Sequence, residues 1–562
     1  MLKNLPIGIS DFKELMENNC YFADKSLFIK ELIDDKSKVI LIPRPRRFGK
    51  TLNLSMVKYF FDIKEKDEEN LFKELKIWEH EEYREYKGKH PVIYISLKDV
   101  KNDNYEDCIF KIRELIINEL KNFAYLLKSD KVDDYDKKTL SEIARNTAKN
   151  VQFESSLDLL MRCIENHHKV KPFLLIDEYD APIHAGYTYG FYEQITIFMR
   201  NFLSAGLKDS KYLHKGILTG ILRVAKESIF SGLNNPQVAT MLDIPYSKHF
   251  GLTDEDVQKM LSHYDKTNLT KDVQKWYDGY LFGQTRIYNP WSLLCFINSQ
   301  KTQPEPYWVN TSSNDIITDL ITKASGEVKK DLGVLIEGGS IEKAIDSNVV
   351  LKDVSKSSAS LWTFLLFSGY LKVAKRVQKK GSFKAYYELK IPNIEVNYLF
   401  ESVITTWLTD TLHDSEYQTM LKSLLDGDIE TFDTIFAEYV LSSFSYFDTA
   451  REPEKTYHAF VLGMLVSLSK EEYLIKSNRE SGRGRYDVLI MPKDTNKNGV
   501  IIEFKKVNKR RKEKLEDAII SAFKQIDEKK YAQELQDFGC KKIFEVAIAI
   551  DGKKSLAEGR FD

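Results

Sequence analysis

Gly49, Lys50 and Thr51 close an apolar run and a basic turn in Lys38-Val39-Ile40-Leu41-Ile42-Pro43-Arg44-Pro45-Arg46-Arg47-Phe48-Gly49-Lys50-Thr51. Residues of these types in this order can hold a nucleotide. Backbone N–H groups at a helix N-terminus attract phosphate oxygens, a lysine there reaches the β- and γ-phosphates, and a threonine hydroxyl can ligate magnesium. The usual first glycine is missing, and Arg44 stands in its place. A second set lies at Phe173-Leu174-Leu175-Ile176-Asp177-Glu178-Tyr179-Asp180. An aspartate at the end of an apolar strand can sit beside the magnesium, and the adjacent glutamate can orient or deprotonate the attacking water. Alone, that stretch also reads as a solvated acidic strand end, but the two sets on separate strands support each other. Thr219, ending Lys215-Gly216-Ile217-Leu218-Thr219-Gly220, could sense a γ-phosphate, and Arg223 could neutralise transferring charge. A plain strand-end threonine and a surface arginine fit those two positions equally well.

A third set points to different chemistry. Asp487 lies in Arg485-Tyr486-Asp487-Val488-Leu489-Ile490, and Glu503 and Lys505 lie in Val500-Ile501-Ile502-Glu503-Phe504-Lys505. Strand side chains alternate with period two, so Glu503 and Lys505 share a face that Asp487 can meet from the next strand. Two carboxylates suit magnesium, which can hold a water near a phosphate, and a lysine can orient that water and offset transition-state charge. An amphipathic hairpin with ordinary surface charges would show the same pattern. Basic residues crowd the set: Lys505, Lys506, Lys509, Arg510, Arg511, Lys512 and Lys514 follow it, and Arg479, Arg483 and Arg485 precede it. Such clustering favours phosphate-backbone attraction over a solvated helix face. No base-reading motif accompanies it, so no sequence-specific cleavage is expected.

Positioning these residues requires alternating strands and helices. Apolar runs at 39–42, 91–97, 173–176 and 215–220 predict buried strands, with helices expected to about Phe61, over 105–127 and 138–149, and from a Ser155 cap to about His167. That alternation predicts a mostly parallel sheet covered on both faces. The stretch 245–415 is mostly helical in pattern, with Thr253 and Asp256 forming a capping-box-like start. The aromatics at 276–291 could stack bases, though core packing suits them better. A buried helix at Leu361–Leu371, then a hairpin from Tyr370 to Ile391 with the basic tip Lys379-Lys380-Gly381-Ser382, resembles a winged-helix wing. From about Lys455 the order becomes helix, strand (472–478), strand (485–490), strand (500–505), a long charged helix (511–534) and strand (543–550).

Composition bounds the rest. At 562 residues and roughly 150 residues per domain, three or four units are expected. Lysine and arginine (83) balance aspartate and glutamate (84), so any nucleic-acid surface is local. The cysteines Cys20, Cys108, Cys163, Cys295 and Cys540 are scattered, which argues against a disulfide framework or zinc module and suits a reducing cytoplasm. No signal-peptide pattern opens the chain, and no apolar run approaches the ~18 residues that span a bilayer. A cytoplasmic protein without membrane contact is expected.

Arg44-Pro-Arg-Arg-Phe-Gly-Lys-Thr51, Ile176-Asp-Glu-Tyr-Asp180 and Phe230-Ser-Gly-Leu-Asn-Asn235 together resemble the AAA-ATPase-like family of bacterial proteins, which carry a divergent N-terminal P-loop ATPase domain. The resemblance continues through Trp276-Tyr-Asp-Gly-Tyr280, Ile287-Tyr-Asn-Pro-Trp-Ser292 and Tyr307-Trp-Val-Asn310. It implies ATP at Gly49, Lys50, Thr51, Asp177 and Glu178, adds Arg46 and Arg47 as phosphate contacts, and makes Arg44 ordinary at its position. The C-terminal element order resembles the PD-(D/E)XK nucleases, and Ser477-Asn-Arg-Glu-Ser-Gly-Arg-Gly-Arg-Tyr-Asp487 with Ile501-Ile-Glu-Phe-Lys505 resembles the nuclease domain accompanying this ATPase family. Tyr457-His458 fits as well. That resemblance implies metal at Asp487 and Glu503, catalysis at Asp487, Glu503 and Lys505, and accessory roles for Gln525 and for Glu454, with Glu480 a competitor; His458 suits a phosphate contact or plain packing.

The expected fold is α/β: a P-loop ATPase core with parallel sheet over 1–244, a helical lid with a winged-helix-like part over 245–415, a connector over 416–453, and a PD-(D/E)XK nuclease-like domain over 454–562. The expected function is ATP binding and hydrolysis coupled to Mg²⁺-dependent (or Mn²⁺-dependent) cleavage of nucleic acid, DNA ahead of RNA. The alternative is an ATP-driven switch or scaffold that binds nucleic acid or a protein without cutting. An arginine acting across subunits, Arg223 being one candidate, would require a homo-oligomer.

Overall fold

The computed structural model describes residues 2–222, 236–299, 301, 303–308, 315–322, 324, 326–336, 338–347, 351–354, 357–379, 384–409, 414–443, 465, 468, 472–477, 480–481, 484–485, 488–507, 513–551 and 554–562. The chain divides into two compact units, one of residues 1–316 with 342–396, the other of 317–341 with 397–562. Arg223, Phe230–Asn235, Asn310, Glu454, Tyr457, His458, Arg479, Arg483, Tyr486, Asp487 and the basic stretch 509–512 lie outside the described residues, as does the helix expected from Lys455, apart from Leu465 and Leu468.

The first unit is built on a five-stranded parallel sheet. Its strands are β1 (Val39–Pro43), β2 (Val92–Ser96), β3 (Phe173–Asp177), β4 (Lys215–Gly220) and the short β5 (Gln237–Val238), in the order β2-β3-β4-β1-β5. Every residue of β1, β3 and β4 is buried, which is what a parallel sheet covered by helices on both faces requires. In-register pairing brings the C-terminal ends of β2, β3, β4 and β1 to one edge: Ser96 faces Asp177, Ile176 faces Leu218, and Ile42 faces Thr219. The expected chemistry therefore collects where ligands usually bind in open α/β sheets.

The helices follow the sequence pattern with three differences. The helix expected over 138–149 runs instead from Asp134 to Ala144 and ends ahead of Asn146, whose φ is 56°, with a separate short helix at Asn150–Glu154. Ser155 does not cap the helix Ser156–His168; its hydroxyl donates back to the Val151 and Gln152 carbonyls. The charged stretch after α1 (Lys50–Phe61), which reads as helical to about Gly88, forms short 3₁₀ turns and a single α-helical turn at Glu81–Arg84. Thr253 and Asp256 do form a capping box on the helix Asp254–His263. Farther on, the ribbon β6 (Tyr280–Phe282) and β7 (Thr285–Ile287) precedes α2 (Pro290–Asn298), whose N-cap is Asn289. The helix Ser358–Phe367 is followed by an antiparallel pair, β9 (Lys372–Val377) and β10 (Tyr386–Lys390), as the hairpin pattern predicts. A third strand, β8 (Ile341–Ala344), pairs with β10.

The second unit has its own five-stranded sheet. It comprises β11 (Tyr473–Ser477), β14 (Val488–Pro492), β15 (Gly499–Lys506), β16 (Ile543–Asp551) and β17 (Lys554–Phe561), in the order β11-β14-β15-β16-β17, with a two-residue ladder between β12 (Glu480–Ser481) and β13 (Gly484–Arg485). Only β15 and β16 are parallel, and the long α3 (Leu515–Lys529) connects them. The helix expected over 511–534 breaks at Lys530, whose φ is 55°, and resumes as Ala532–Phe538. One face of the sheet packs on the helices Asp414–Asp426 and Ile429–Ser443 through Tyr417, Leu424, Phe432, Phe436, Ile502 and Phe504. The edge strand β17 has no counterpart in the sequence reading. Most of its residues are exposed or half-buried and Gly559 interrupts it, so its strand signal is weak.

Candidate functional site

The loop from Arg44 to Gly49 joins β1 to α1 at the C-terminal edge of the first sheet. Gly49 caps α1 with φ at 81°, a left-handed conformation that costs glycine little. Lys50 is buried, and its Nζ donates to the Arg44 carbonyl at 3.1 Å and the Pro45 carbonyl at 3.0 Å, while pairing with Glu178 Oε1 at 3.2 Å. The lysine thus lies folded across its own loop. Asp177 is fully buried and collects three hydroxyl donors: Thr51 at 2.7 Å, Thr219 at 2.6 Å and Ser96 at 3.3 Å. Thr51, Asp177, Glu178, Lys50 and Thr219 are therefore brought together from two strands and one helix. Oxygen donors of this kind fit magnesium, which commonly takes one or two carboxylates and leaves its other positions to water and substrate phosphate. Among the described residues, no group of three or more histidine, cysteine, aspartate or glutamate side chains is arranged to hold a metal.

The arginines of the loop have separate environments. The Arg44 side chain is completely buried; Nη1 donates to the carbonyls of Pro43 (2.9 Å) and Ala239 (2.7 Å), and the guanidinium lies 5.3 Å from the Phe250 ring centre and 5.2 Å from that of Phe282. Burial lowers its pKa to about 9. Arg44 therefore points into the protein and anchors the loop from behind. Arg46 gives its carbonyl to the Trp308 indole N–H at 3.2 Å. Arg47 is exposed, with φ at 69°, and its guanidinium lies 4.2 Å from the Trp291 ring centre.

The aromatic residues of 276–291 mostly pack around this loop. Phe48 meets Tyr280 edge-on at 4.9 Å and Phe282 at 5.4 Å, and Tyr277, Tyr280, Phe282 and Tyr288 are buried. Beside Gly49 lies a small, mainly apolar recess of about 80 Å³, bordered by Tyr21, Phe22, Leu52, Asn53, Leu252 and Pro290.

Sequence reasoning did not assign several of these residues. Ser96 becomes visible only through the register that places it opposite Asp177. Tyr179 and Asp180 lie within a quoted motif, yet their work is on the neighbouring strand. Buried Asp180 accepts from the Ile221 and Leu222 N–H groups at 2.9 and 3.0 Å, and Tyr179 donates its hydroxyl to the Leu222 carbonyl at 2.6 Å. Gly220 is glycine for a packing reason: a Cβ there would stand 2.6 Å from Asp180 Oδ1 and 2.8 Å from the Tyr179 ring.

In the second unit, Glu503 and Lys505 project from one face of β15, as strand alternation requires. Glu503 is 1% exposed, and Lys505 Nζ donates to its Oε1 at 3.1 Å. Gln525, from α3, joins them. Its Oε1 accepts from Lys505 at 2.7 Å, and its amide N–H groups donate to Glu503 Oε1 and, at 3.1 Å, to the buried Tyr531 hydroxyl. Tyr531 was also missed, since its six-residue separation from Gln525 crosses the helix break. A carboxylate, an ammonium and an amide thus meet around one point, and Asp487 lies outside the described residues.

Comparisons with known proteins agree with this division. Residues 6–230 match the family described as Predicted AAA-ATPase (AAA-ATPase-like), and residues 452–558 match the PD-(D/E)XK nuclease superfamily. An uncharacterized protein from the vnfD 5′ region of Azotobacter chroococcum mcd 1 is 28% identical over 447 residues, 78% of each chain. No solved structure matches. The chain thus carries an AAA-ATPase-like domain and a C-terminal PD-(D/E)XK nuclease superfamily domain. The five cysteines are free thiols, and no helix among the described residues is long and apolar enough to cross a membrane.

Proposed function

We propose that the first unit binds and hydrolyses ATP and that the second cleaves nucleic-acid phosphodiesters, DNA ahead of RNA, under the control of that nucleotide. The observation that carries this reading is the meeting of Lys50 and Thr51 with Asp177 and Glu178 at the C-terminal edge of a parallel sheet. Magnesium, held by Thr51 and Asp177 in one unit and by Asp487 and Glu503 in the other, where manganese could replace it, would supply Lewis-acid stabilisation of phosphate charge.

The chain's own groups account for the remaining steps. Arriving phosphates would take Lys50 from the Arg44 and Pro45 carbonyls, and its departure from Glu178 would free that carboxylate to orient and deprotonate water. Thr219 would report the γ-phosphate to β4, and Arg46, Arg47 and Arg223 remain proposed phosphate contacts. In the second unit, Lys505, held by Gln525 and Glu503, would orient the attacking water. Glu454 and His458 remain proposed accessory groups.

Two variants test the scheme in assays with Mg²⁺, ATP and single- or double-stranded DNA or RNA. Lys50→Ala should abolish nucleotide binding. Lys505→Ala should abolish cleavage and leave ATPase activity intact. Cleavage unaffected by Lys505→Ala would remove the catalytic role, and a chain that binds nucleic acid but never cuts it would support the switch or scaffold alternative.

A further inference from the structure

The opposite edge of the first sheet, where the strands begin, is distinct from the nucleotide site. Backbone bonds set these strand starts abreast: Phe173 N–H donates to the Pro91 carbonyl (2.9 Å), His214 N–H to the Pro172 carbonyl (2.9 Å), and Gly216 N–H to the Lys38 carbonyl (2.8 Å). His214 and Lys38 immediately precede β4 and β1, and His90 and Lys171 stand two positions before β2 and β3, ahead of Pro91 and Pro172. Strands lie about 4.8 Å apart, so the row spans roughly 14 Å, the rise of about four phosphates along one DNA strand.

The row is poorly compensated. Lys36, Lys38, Lys89, Lys171 and His214 are exposed. The His90 and His214 rings lie 4.0 Å apart, and His90 Nδ1 is engaged by the Lys171 carbonyl at 2.9 Å. Burial and the neighbouring His90, Lys215 and Lys171 lower His214 to about 4, and burial and Lys171 lower Lys38. Two nearby carboxylates offer little relief. Asp35 is engaged by Tyr246 and Ser37, and Asp209 only partly offsets the repulsion on Lys38. Both histidines are held below their ordinary value by burial and are uncharged near neutral pH, so the positive charge of this edge comes from Lys36, Lys38, Lys89 and Lys171, and such a local surplus of lysine suits an anionic partner.

We infer that this strand-start edge, centred on Lys38 and Lys171, is a second nucleic-acid contact that binds the phosphate backbone without regard to sequence. The inference rests on the reading that the chain acts on nucleic acid, and its test separates the two. The full chain carrying Lys505→Ala, in EDTA to prevent cutting, is titrated against a short fluorescein-labelled DNA duplex across a salt series. Adding Lys38→Ala and Lys171→Ala should lower the slope of log affinity against log salt by about 1.8 and weaken binding roughly tenfold to a hundredfold at about 0.1 M salt. The same charge change at Lys259 and Lys301, which sit in exposed helix-type ion pairs, should leave the slope unchanged. Equal slopes for the two double variants would overturn the inference alone. No binding by the unaltered chain would overturn it together with the nucleic-acid reading.

Discussion

At the level of single residues, Arg44 illustrates how a motif mismatch can be structural. A glycine at that position of a phosphate loop is usually read as backbone freedom, but here the guanidinium fills the space behind the loop and satisfies two carbonyls. Arg44→Gly, although it restores the common octet, should therefore weaken nucleotide binding and cost about 2–4 kcal/mol of stability by leaving buried carbonyls and a cavity, measurable by urea denaturation and nucleotide titration. Glu395 gives a prediction with the opposite sign. Its carboxylate is buried and accepts from the Tyr307 and Trp308 N–H groups, both at 2.6 Å, and from Ser292 at 2.8 Å, and burial raises its pKa to about 7. An acid raised on folding contributes fully below its unfolded value and loses that contribution as pH rises through 7. Glu395→Gln, which keeps an acceptor but cannot ionise, should be near neutral at pH 4 and stabilising by up to about 3 kcal/mol at pH 8. Denaturation midpoints at the two pH values decide it; a variant no more stable than the parent at pH 8 would sink the assignment.

At the level of elements, the sites are made by strand ends whose register was only partly legible in the sequence. The apolar runs at 39–42, 173–176 and 215–220 announced buried strands, and the polar residues closing them announced one reactive edge. The spatial order β2-β3-β4-β1-β5 was not legible, because nothing local in a chain says which strand lies between which. Ser96 was lost for that reason. Asp180 was lost because its partners belong to the next strand. It ties Ile221 and Leu222, the residues immediately after β4 and Thr219, to the strand that carries Glu178. Truncating it should disturb hydrolysis more than binding, since the phosphate loop makes no contact with Asp180 among its recorded hydrogen bonds. The expected outcome for Asp180→Ala is a fall in ATPase kcat of tenfold or more with nucleotide Kd changed by less than about threefold, because each hydrogen bond left unmade at a buried N–H costs about 1–3 kcal/mol. An equal loss of affinity and turnover would show that Asp180 supports the whole sheet edge rather than the geometry of β4. In the second unit the same limit applied to Tyr531, separated from Gln525 by a helix break that Lys530 makes in a left-handed conformation. The Glu503 and Lys505 pair was legible because period-two alternation alone places both on one face.

At the level of the whole molecule, the two chemistries make different demands on energy. Hydrolysis of a phosphodiester runs downhill and needs no ATP to drive it; a water-activating lysine and metal-holding carboxylates suffice for the chemical step. Nucleotide is therefore expected to license cutting by its binding, through the difference in affinity that any ligand must have for two states of a protein in order to shift their balance. The residues of the first site allow binding and hydrolysis to be separated. On the proposed reading Lys50 would hold phosphates, whereas Glu178, its ion-pair partner at 3.2 Å, would act on water once phosphate had drawn Lys50 away. Lys50→Ala should lose both ATP hydrolysis and any ATP stimulation of cleavage. Glu178→Gln should lower hydrolysis by about 10²–10⁴-fold yet still be stimulated by ATP, and the stimulation should outlast that of the unaltered chain because the bound nucleotide persists. The measurement is cleavage of labelled DNA with Mg²⁺, with and without ATP, alongside single-turnover ATP hydrolysis for the same three proteins. If Glu178→Gln binds ATP but cuts no faster with it than without it, binding alone does not license the nuclease, and turnover of ATP must be coupled to movement along the nucleic acid.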